Sequence, residues 1–308
     1  MPYKELKDLP QDEWFAPGHG LCAGCTAALT ARLIAKVSGP KTVVVSATGC
    51  IEVSTTPYPY TAWKIPWLHV AFENAAAAAS GIRAAYDALR AKGIISEDVN
   101  VVALAGDGGT ADIGFQALSG AFERGDRITF VCYDNEAYMN TGIQRSGTTP
   151  YGASTTTSPH GKACLGQTTW KKDLVAIALA HRVPYVATAT PGYLVDEANK
   201  IEKALNCGGP AFLHILQPCP AGWGTDSSMG IRISRLAVTT GLWPLYEYNN
   251  GELRVTVRVP QRVHVQKYID VQSRFKHLLH KPEELAKIQA YADALAEKYK
   301  LGPVVSSE

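Results

Sequence analysis

Five short runs rich in β-branched and other apolar residues, at 42–46, 100–105, 128–133, 184–189 and 211–216, punctuate the chain. Between and around them, at 24–37, 73–90, 112–123, 172–180 and 194–205, apolar positions recur at helical spacing. Unbroken hydrophobic strands separated by helices are what a parallel sheet covered on both faces requires. The pattern predicts a doubly wound, mostly parallel α/β domain, in which ligands are held by loops at the carboxyl ends of the strands. The alanine run 75–79 falls inside one predicted helix and implies close packing there, since small side chains let backbones approach.

The rhythm changes in two places. Residues 146–162, rich in Thr, Ser, Gly and Pro, predict a long loop of the lid or binding kind. Past about 229 comes an apolar stretch with aromatics (236–246), an alternating segment (253–259) and a charged amphipathic helix (282–300). The expectation is one α/β domain over 1–228 and a C-terminal extension over 229–308. That extension packs on the domain or on a partner subunit, and the partner is preferred because its aromatics lack an evident core.

Composition adds limits. With 308 residues, 46% of them hydrophobic, the chain can bury a full core. A net charge of only +2 and the absence of a basic stripe argue against a nucleic-acid partner. No apolar segment reaches the roughly 18 residues of a membrane span, and no targeting peptide is visible. Seven cysteines, an odd number, and no secretory signal make disulfides unexpected and point to a reducing cytoplasm.

Candidate chemistry sits at two strand tips. Gly106-Asp107-Gly108-Gly109 ends the second strand and Asp134-Asn135-Glu136-Ala137-Tyr138-Met139-Asn140 ends the third. Asn135 follows Asp107 by 28 positions, room for one helix and one strand, so the tips fall side by side. A Mg²⁺-bridged diphosphate needs a few hard oxygen ligands, and Asp107, Asn135 and the carbonyl of Ala137 can supply them. The glycines let backbone N–H groups approach phosphate oxygens, and the helix expected to begin near Ala111 points its positive end at the anion.

The second constellation is sulfur. Cys22 and Cys25 form a C-x2-C, Cys50 closes Ser46-Ala47-Thr48-Gly49-Cys50, and Cys219 follows the last predicted strand, beside Pro220. Four such thiols can share a metal or an iron–sulfur cluster; a zinc knuckle or a redox pair reads equally well from the C-x2-C alone. Cys132 reads as a small buried hydrophobe, and Cys164 and Cys207 as loop or helix-end thiols.

The run 106–114, the segment 134–142, then Gln144-Arg145-Ser146-Gly147 and Thr148-Thr149-Pro150, resemble the thiamine diphosphate motif of 2-oxoacid:ferredoxin oxidoreductases of the pyruvate type, in their separate β-subunit form. The resemblance implies thiamine diphosphate and Mg²⁺ held by Gly106, Asp107, Gly108, Gly109, Asn135, Ala137, Asn140 and Thr141, with Gly49, Cys50 and Ile51 also at the cofactor. It places Asn140 beside the reactive ring as the catalytic residue. It also assigns Cys22, Cys25, Cys50 and Cys219 to a [4Fe–4S] cluster close to the thiamine. The implied reaction is oxidative decarboxylation of a small 2-oxoacid, pyruvate by default, with electrons leaving through the cluster to ferredoxin.

The same resemblance implies partners: an α-type subunit supplying the carboxylate that activates thiamine, a ferredoxin-like cluster subunit, ferredoxin itself, and coenzyme A as a candidate acyl acceptor. Thr26, Ala111 and Phe115 depart from the family pattern, at positions where glycine, tyrosine and leucine are common, which leaves oxalate as an alternative substrate. A reading of a different class is a zinc- and diphosphate-binding sensor without redox chemistry.

Overall fold

The computed structural model describes residues 2–305. In chain order its elements are α1 (Thr26–Ser38), β1 (Thr42–Ala47), α2 (Cys50–Thr55), β2 (Trp67–Val70), α3 (Ala75–Ala91), β3 (Asn100–Gly106), α4 (Asp107–Ala111), α5 (Phe115–Arg124), β4 (Thr129–Asp134), α6 (Leu174–Ala180), β5 (Tyr185–Ala189), α7 (Leu194–Leu205), β6 (Ala211–Leu216), α8 (Pro220–Trp223), α9 (Gly230–Thr239), β7 (Tyr246–Asn249), β8 (Glu252–Val255), α10 (Gln266–Ile269) and α11 (Pro282–Tyr299). The eight strands form one sheet in the order β2-β1-β3-β4-β6-β5-β7-β8. Strands β1 to β6 pair in parallel, and β7 and β8 close one side antiparallel.

Because successive strand residues face opposite sides, each apolar run feeds two cores. Val44, Val102, Leu104, Val131 and Leu213 pack with Ala27, Ala31 and Ile34 of α1 and Ala198 and Ile201 of α7. On the other face Val45, Ala103, Phe130 and Phe212 pack with Ala75 and Ala79 of α3, Leu118 and Phe122 of α5, and Val175 and Ala178 of α6. The expected doubly wound sheet is present, and Cys132 lies fully buried in the second core.

Several boundaries differ from the sequence reading for identifiable reasons. The helix expected near Ala111 begins four residues earlier, at Asp107, directly from the end of β3, and breaks at 112–114 before α5. Two elements are unforeseen, the short helix α2 over 50–55 and the edge strand β2 over 67–70. Neither is long enough to show a period.

The C-terminal part has the core its aromatics seemed to lack. Trp243, Leu245, Tyr268, Phe275 and Leu278 join Trp223 and Ile233 in a third cluster. Tyr246 on β7 stacks on Tyr299 of α11, with ring centroids 4.2 Å apart. The premise for a partner-facing tail therefore falls away: β7 continues the sheet from β5, and the residues after it pack back over that edge.

Candidate functional site

Strand β3 delivers Asp107 to the first turn of α4, almost fully buried, and β4 delivers Asp134 and Asn135 beside it. Asp107 accepts hydrogen bonds from the hydroxyls of Ser146 and Thr148, the latter at 3.0 Å. Thr148 is shared, donating also toward Asp134 Oδ1 at 2.9 Å. The segment read as a lid thus divides in two. Ser146, Thr148 and Thr149 are completely buried and form the floor beneath Asp107, while 156–164 run along the exterior.

The side chain of Asn135 closes the site. One of its two amide atoms lies 2.8 Å from the carbonyl oxygen of Ala137 and 3.1 Å from Asp107 Oδ1. Turned one way, the NH2 group donates to both; turned the other, three oxygens converge with no hydrogen between them. Octahedral Mg²⁺, with oxygens at about 2.0–2.1 Å, places neighbouring ligands about 3 Å apart. The two spacings from the Asn135 amide therefore fit neighbouring positions of such a shell. Their environment agrees: burial, and then the charge of Asp134, push the Asp107 carboxyl well above the usual carboxylate range, although Ser146 and Thr148 pull it back. A divalent cation would reverse that cost.

Asp134 is held differently. Burial alone would raise it, but Lys171 at 3.0 Å and His214 at 2.8 Å keep it well below the ordinary value. Lys171 also reaches Glu136 Oε1 at 2.6 Å, and Glu136 Oε2 meets Arg274 at 2.5 Å. The guanidinium lies 3.8 Å over the Trp223 ring. Glu136 itself has a positive φ of 69°, a strained conformation for this residue type, and sits between the two liganding candidates Asn135 and Ala137. Its carboxylate, clamped by Lys171 and Arg274, holds that kink. This charge network borders a larger, aromatic-walled cavity of about 1000 Å³, partly open to solvent.

The smaller cavity, about 320 Å³ and also partly open, is lined by Thr48, Gly49, Cys50, Gly106 to Gly109, Tyr133, Asn135, Ala137, Asn140 and Thr141, among others. Asn140 and Thr141 are exposed at its mouth. Ile51 belongs with its side chain to the core, so only its backbone faces this side.

The four singled-out cysteines gather at the same sheet edge. Cys25 caps α1, Cys50 opens α2 and Cys219 caps α8, its sulfur accepting from the Gly222 N–H at 3.3 Å. Cys22 is exposed, the others half-buried. Gly24 between Cys22 and Cys25 has φ 74°, and a Cβ there would lie 1.9 Å from the Ser227 carbonyl oxygen, so only glycine makes this turn. Burial, and then the neighbouring thiols, push Cys50 up to about 12. Cys25 rises to about 11 by burial, with Cys219 and Cys22 adding to it, and Cys219 is raised by burial and Cys22. A cationic centre among them would relieve this crowding of like charges. Among the described residues, no three His, Cys, Asp or Glu side chains close in tightly enough for a single metal ion.

Thr26, the departure beside the second cysteine, donates to the carbonyl of Pro218 at 3.1 Å and so ties the C-x2-C turn to the Cys219 segment. Cys164 is exposed on its loop, and the Cys207 thiol turns to the Gly209 carbonyl at 3.3 Å. Ser146, Thr148, Tyr133, Lys171 and Arg274 were not foreseen as site residues. Only the first two carried a signal, their place in the 144–150 motif.

Comparisons with known proteins bear on the family and the fold. The family described as thiamine pyrophosphate enzyme, C-terminal TPP binding domain, matches residues 23–215. The chain is 57% identical over 293 residues to pyruvate synthase subunit PorB of Methanothermobacter thermautotrophicus, covering 95% of this chain and 99% of the relative. It is 44% identical to ketoisovalerate oxidoreductase subunit VorB of Pyrococcus abyssi, covering 89% of each chain. A solved 2-oxoglutarate:ferredoxin oxidoreductase from Magnetococcus marinus matches in fold, with TM-score 0.54 and 21% identity over 76% of this chain and 81% of that one.

Proposed function

This chain belongs to the family of pyruvate synthase PorB subunits, and we propose that it works as the β subunit of a pyruvate:ferredoxin oxidoreductase. The observation that carries the proposal is the convergence of Asp107 Oδ1, the Asn135 amide and the Ala137 carbonyl at one point of the sheet edge that also gathers four thiols. Asp107, Asn135 and Ala137 would hold Mg²⁺, and the backbone of Gly106, Gly108 and Gly109 would receive the diphosphate. Gly49, Cys50 and Ile51 would border the cofactor from the facing segment, with Asn140 and Thr141 at the opening to substrate.

Cys22, Cys25, Cys50 and Cys219 would hold a [4Fe–4S] cluster. Membership of the pyruvate synthase subunit family favours this cluster over the zinc sensor. When bound, thiamine diphosphate supplies an electron sink for decarboxylation and the cluster a one-electron acceptor. The chain's own work is to fix both at one edge, to keep the metal face dry beneath buried Ser146 and Thr148, and to leave Asn140 facing the reacting centre.

An α-type subunit would bring the carboxylate that activates thiamine, and a ferredoxin-like subunit would carry electrons onward to ferredoxin. No helix among the described residues is long and apolar enough to cross a membrane, which accords with a cytoplasmic complex. Pyruvate stands ahead of oxalate because 57% identity ties the chain to a pyruvate synthase subunit.

The test is the complex purified without oxygen and assayed for viologen or ferredoxin reduction with pyruvate, 2-ketoisovalerate, oxalate and coenzyme A varied one at a time. Brown protein reducing the dye with pyruvate and coenzyme A is expected. A colourless, zinc-containing preparation inert to every 2-oxoacid would overturn the proposal.

A further inference from the structure

Tyr133 lies near the carboxyl end of β4, 2% exposed, yet its hydroxyl has no hydrogen-bond partner. Its ring faces Gly106 across the β3–β4 pairing, and its oxygen reaches Gly49, where a Cβ would stand only 2.5 Å from it. The residue therefore spans from the strand that carries Asp107 to the turn that carries Cys50, along the wall of the smaller cavity. The Ile51 amide faces the phenol oxygen without completing a hydrogen bond, which leaves the O–H looking for an acceptor.

Burying such a group unpaired costs about 1–3 kcal/mol. The charged neighbours that bear on it are Cys50 first and Asp107 second. Asp107 is already supplied: Oδ2 accepts from Ser146 and Thr148, and Oδ1 meets Asn135. Cys219 also has a donor, the Gly222 amide of its own helix, whereas no hydrogen bond reaches Cys50 Sγ among the described residues. A donor without an acceptor thus lines the same cavity as a sulfur that turns anionic when it binds iron.

We propose that the Tyr133 hydroxyl donates a hydrogen bond to Cys50 Sγ once that sulfur is an iron-bound thiolate, and so raises the reduction potential of the cluster. The inference rests on the [4Fe–4S] reading of the four cysteines. Its physics is that a donor to a ligating sulfur draws off negative charge and favours the more negative, reduced cluster. An apolar residue of the same shape would fill the strand equally well and leave the potential lower.

The experiment is a redox titration of the anaerobic complex followed by paramagnetic resonance, with the relevant signal identified as the one that Cys219→Ser removes. Tyr133→Phe, which keeps the ring, should lower the reduced-to-oxidised ratio at fixed potential at least threefold, about 30 mV at 59 mV per decade. Iron content should not change. Replacing Tyr133 with 3-fluorotyrosine, a stronger donor of nearly the same size, should move the potential the opposite way and serves if the first variant folds poorly. An unmoved potential in both overturns the inference, and weakened thiamine binding at an unmoved potential assigns the hydroxyl to the diphosphate instead. Were no signal lost with Cys219→Ser, the cluster reading itself would fail, a result separate from an unmoved potential.

Discussion

The indole N–H of Trp223 donates a 2.8 Å hydrogen bond to the backbone carbonyl of Asn135. One turn of chain therefore links Cys219, which caps the helix containing Trp223, to the residue that closes the oxygen site. Sulfur and oxygen constellations are mechanically joined as well as adjacent, and Arg274 from the C-terminal region clamps the joint from above.

Trp223→Phe should loosen that joint. The substitution keeps most of the buried ring but leaves the Asn135 carbonyl without its donor, at a cost of about 1–3 kcal/mol. Mg²⁺-dependent thiamine diphosphate binding, measured by calorimetry on the complex, should weaken about fivefold or more. Unchanged affinity would mean that the Asn135 geometry is held without the indole.

Asp107→Ala should abolish Mg²⁺-dependent thiamine binding while the iron content stays at the wild-type level, because the thiols stand on other segments. Cofactor and iron assays on the same preparation check this. Loss of both together would show that the two sites are not separable.

Cys219→Ser should strip iron from the protein, whereas Cys164→Ser and Cys207→Ser should not. Cys219 feels the charge of Cys22, Cys164 is exposed on its loop, and Cys207 bonds the Gly209 carbonyl. The reverse ranking would identify a different fourth ligand.

Glu197 gives a pH dependence unrelated to cofactor. It is fully buried between α1 and α7, and burial pushes its carboxyl up to about 7, with Thr30 and Lys200 drawing it down. An unfolded glutamate titrates near 4.3 (about). Between those values the folded chain keeps a proton that the unfolded chain has lost, so stability falls as pH rises through the window and stays lower above it. Glu197→Gln should match wild type near pH 4 and be more stable at pH 8 by up to about 3 kcal/mol. Urea midpoints at the two pH values decide it; a gain confined to acid pH would reverse the sign and refute the account.

Much of this was legible in the chain because the signals are local. The strands at 100–105 and 128–133 announce themselves by β-branched residues, and Gly106-Asp107-Gly108 by its pairing with the Asp134–Asn140 segment at a set spacing. Short elements escaped: α2 has six residues and β2 four, too few for a period to show. Ser146 and Thr148 looked like lid residues because a polar, glycine-containing stretch reads as solvent-facing. Their hydroxyls are buried instead, satisfied by Asp107 and Asp134, carboxylates 39 and 14 positions away in the chain.

By itself the sequence determined the alternation of strands and helices, the oxygen-bearing and sulfur-bearing tips, and the family, since each depends on residue type and spacing along one segment. Only the tertiary structure decided that the aromatics of the last 80 residues close the domain's own edge, that Arg274 braces Glu136 from 138 positions away, and that the Tyr133 hydroxyl lies buried against Gly49 without an acceptor. Those are contacts between distant segments. They exist because sheet pairing brings several strand ends to one rim, and no periodicity within a single segment encodes which side chains meet there.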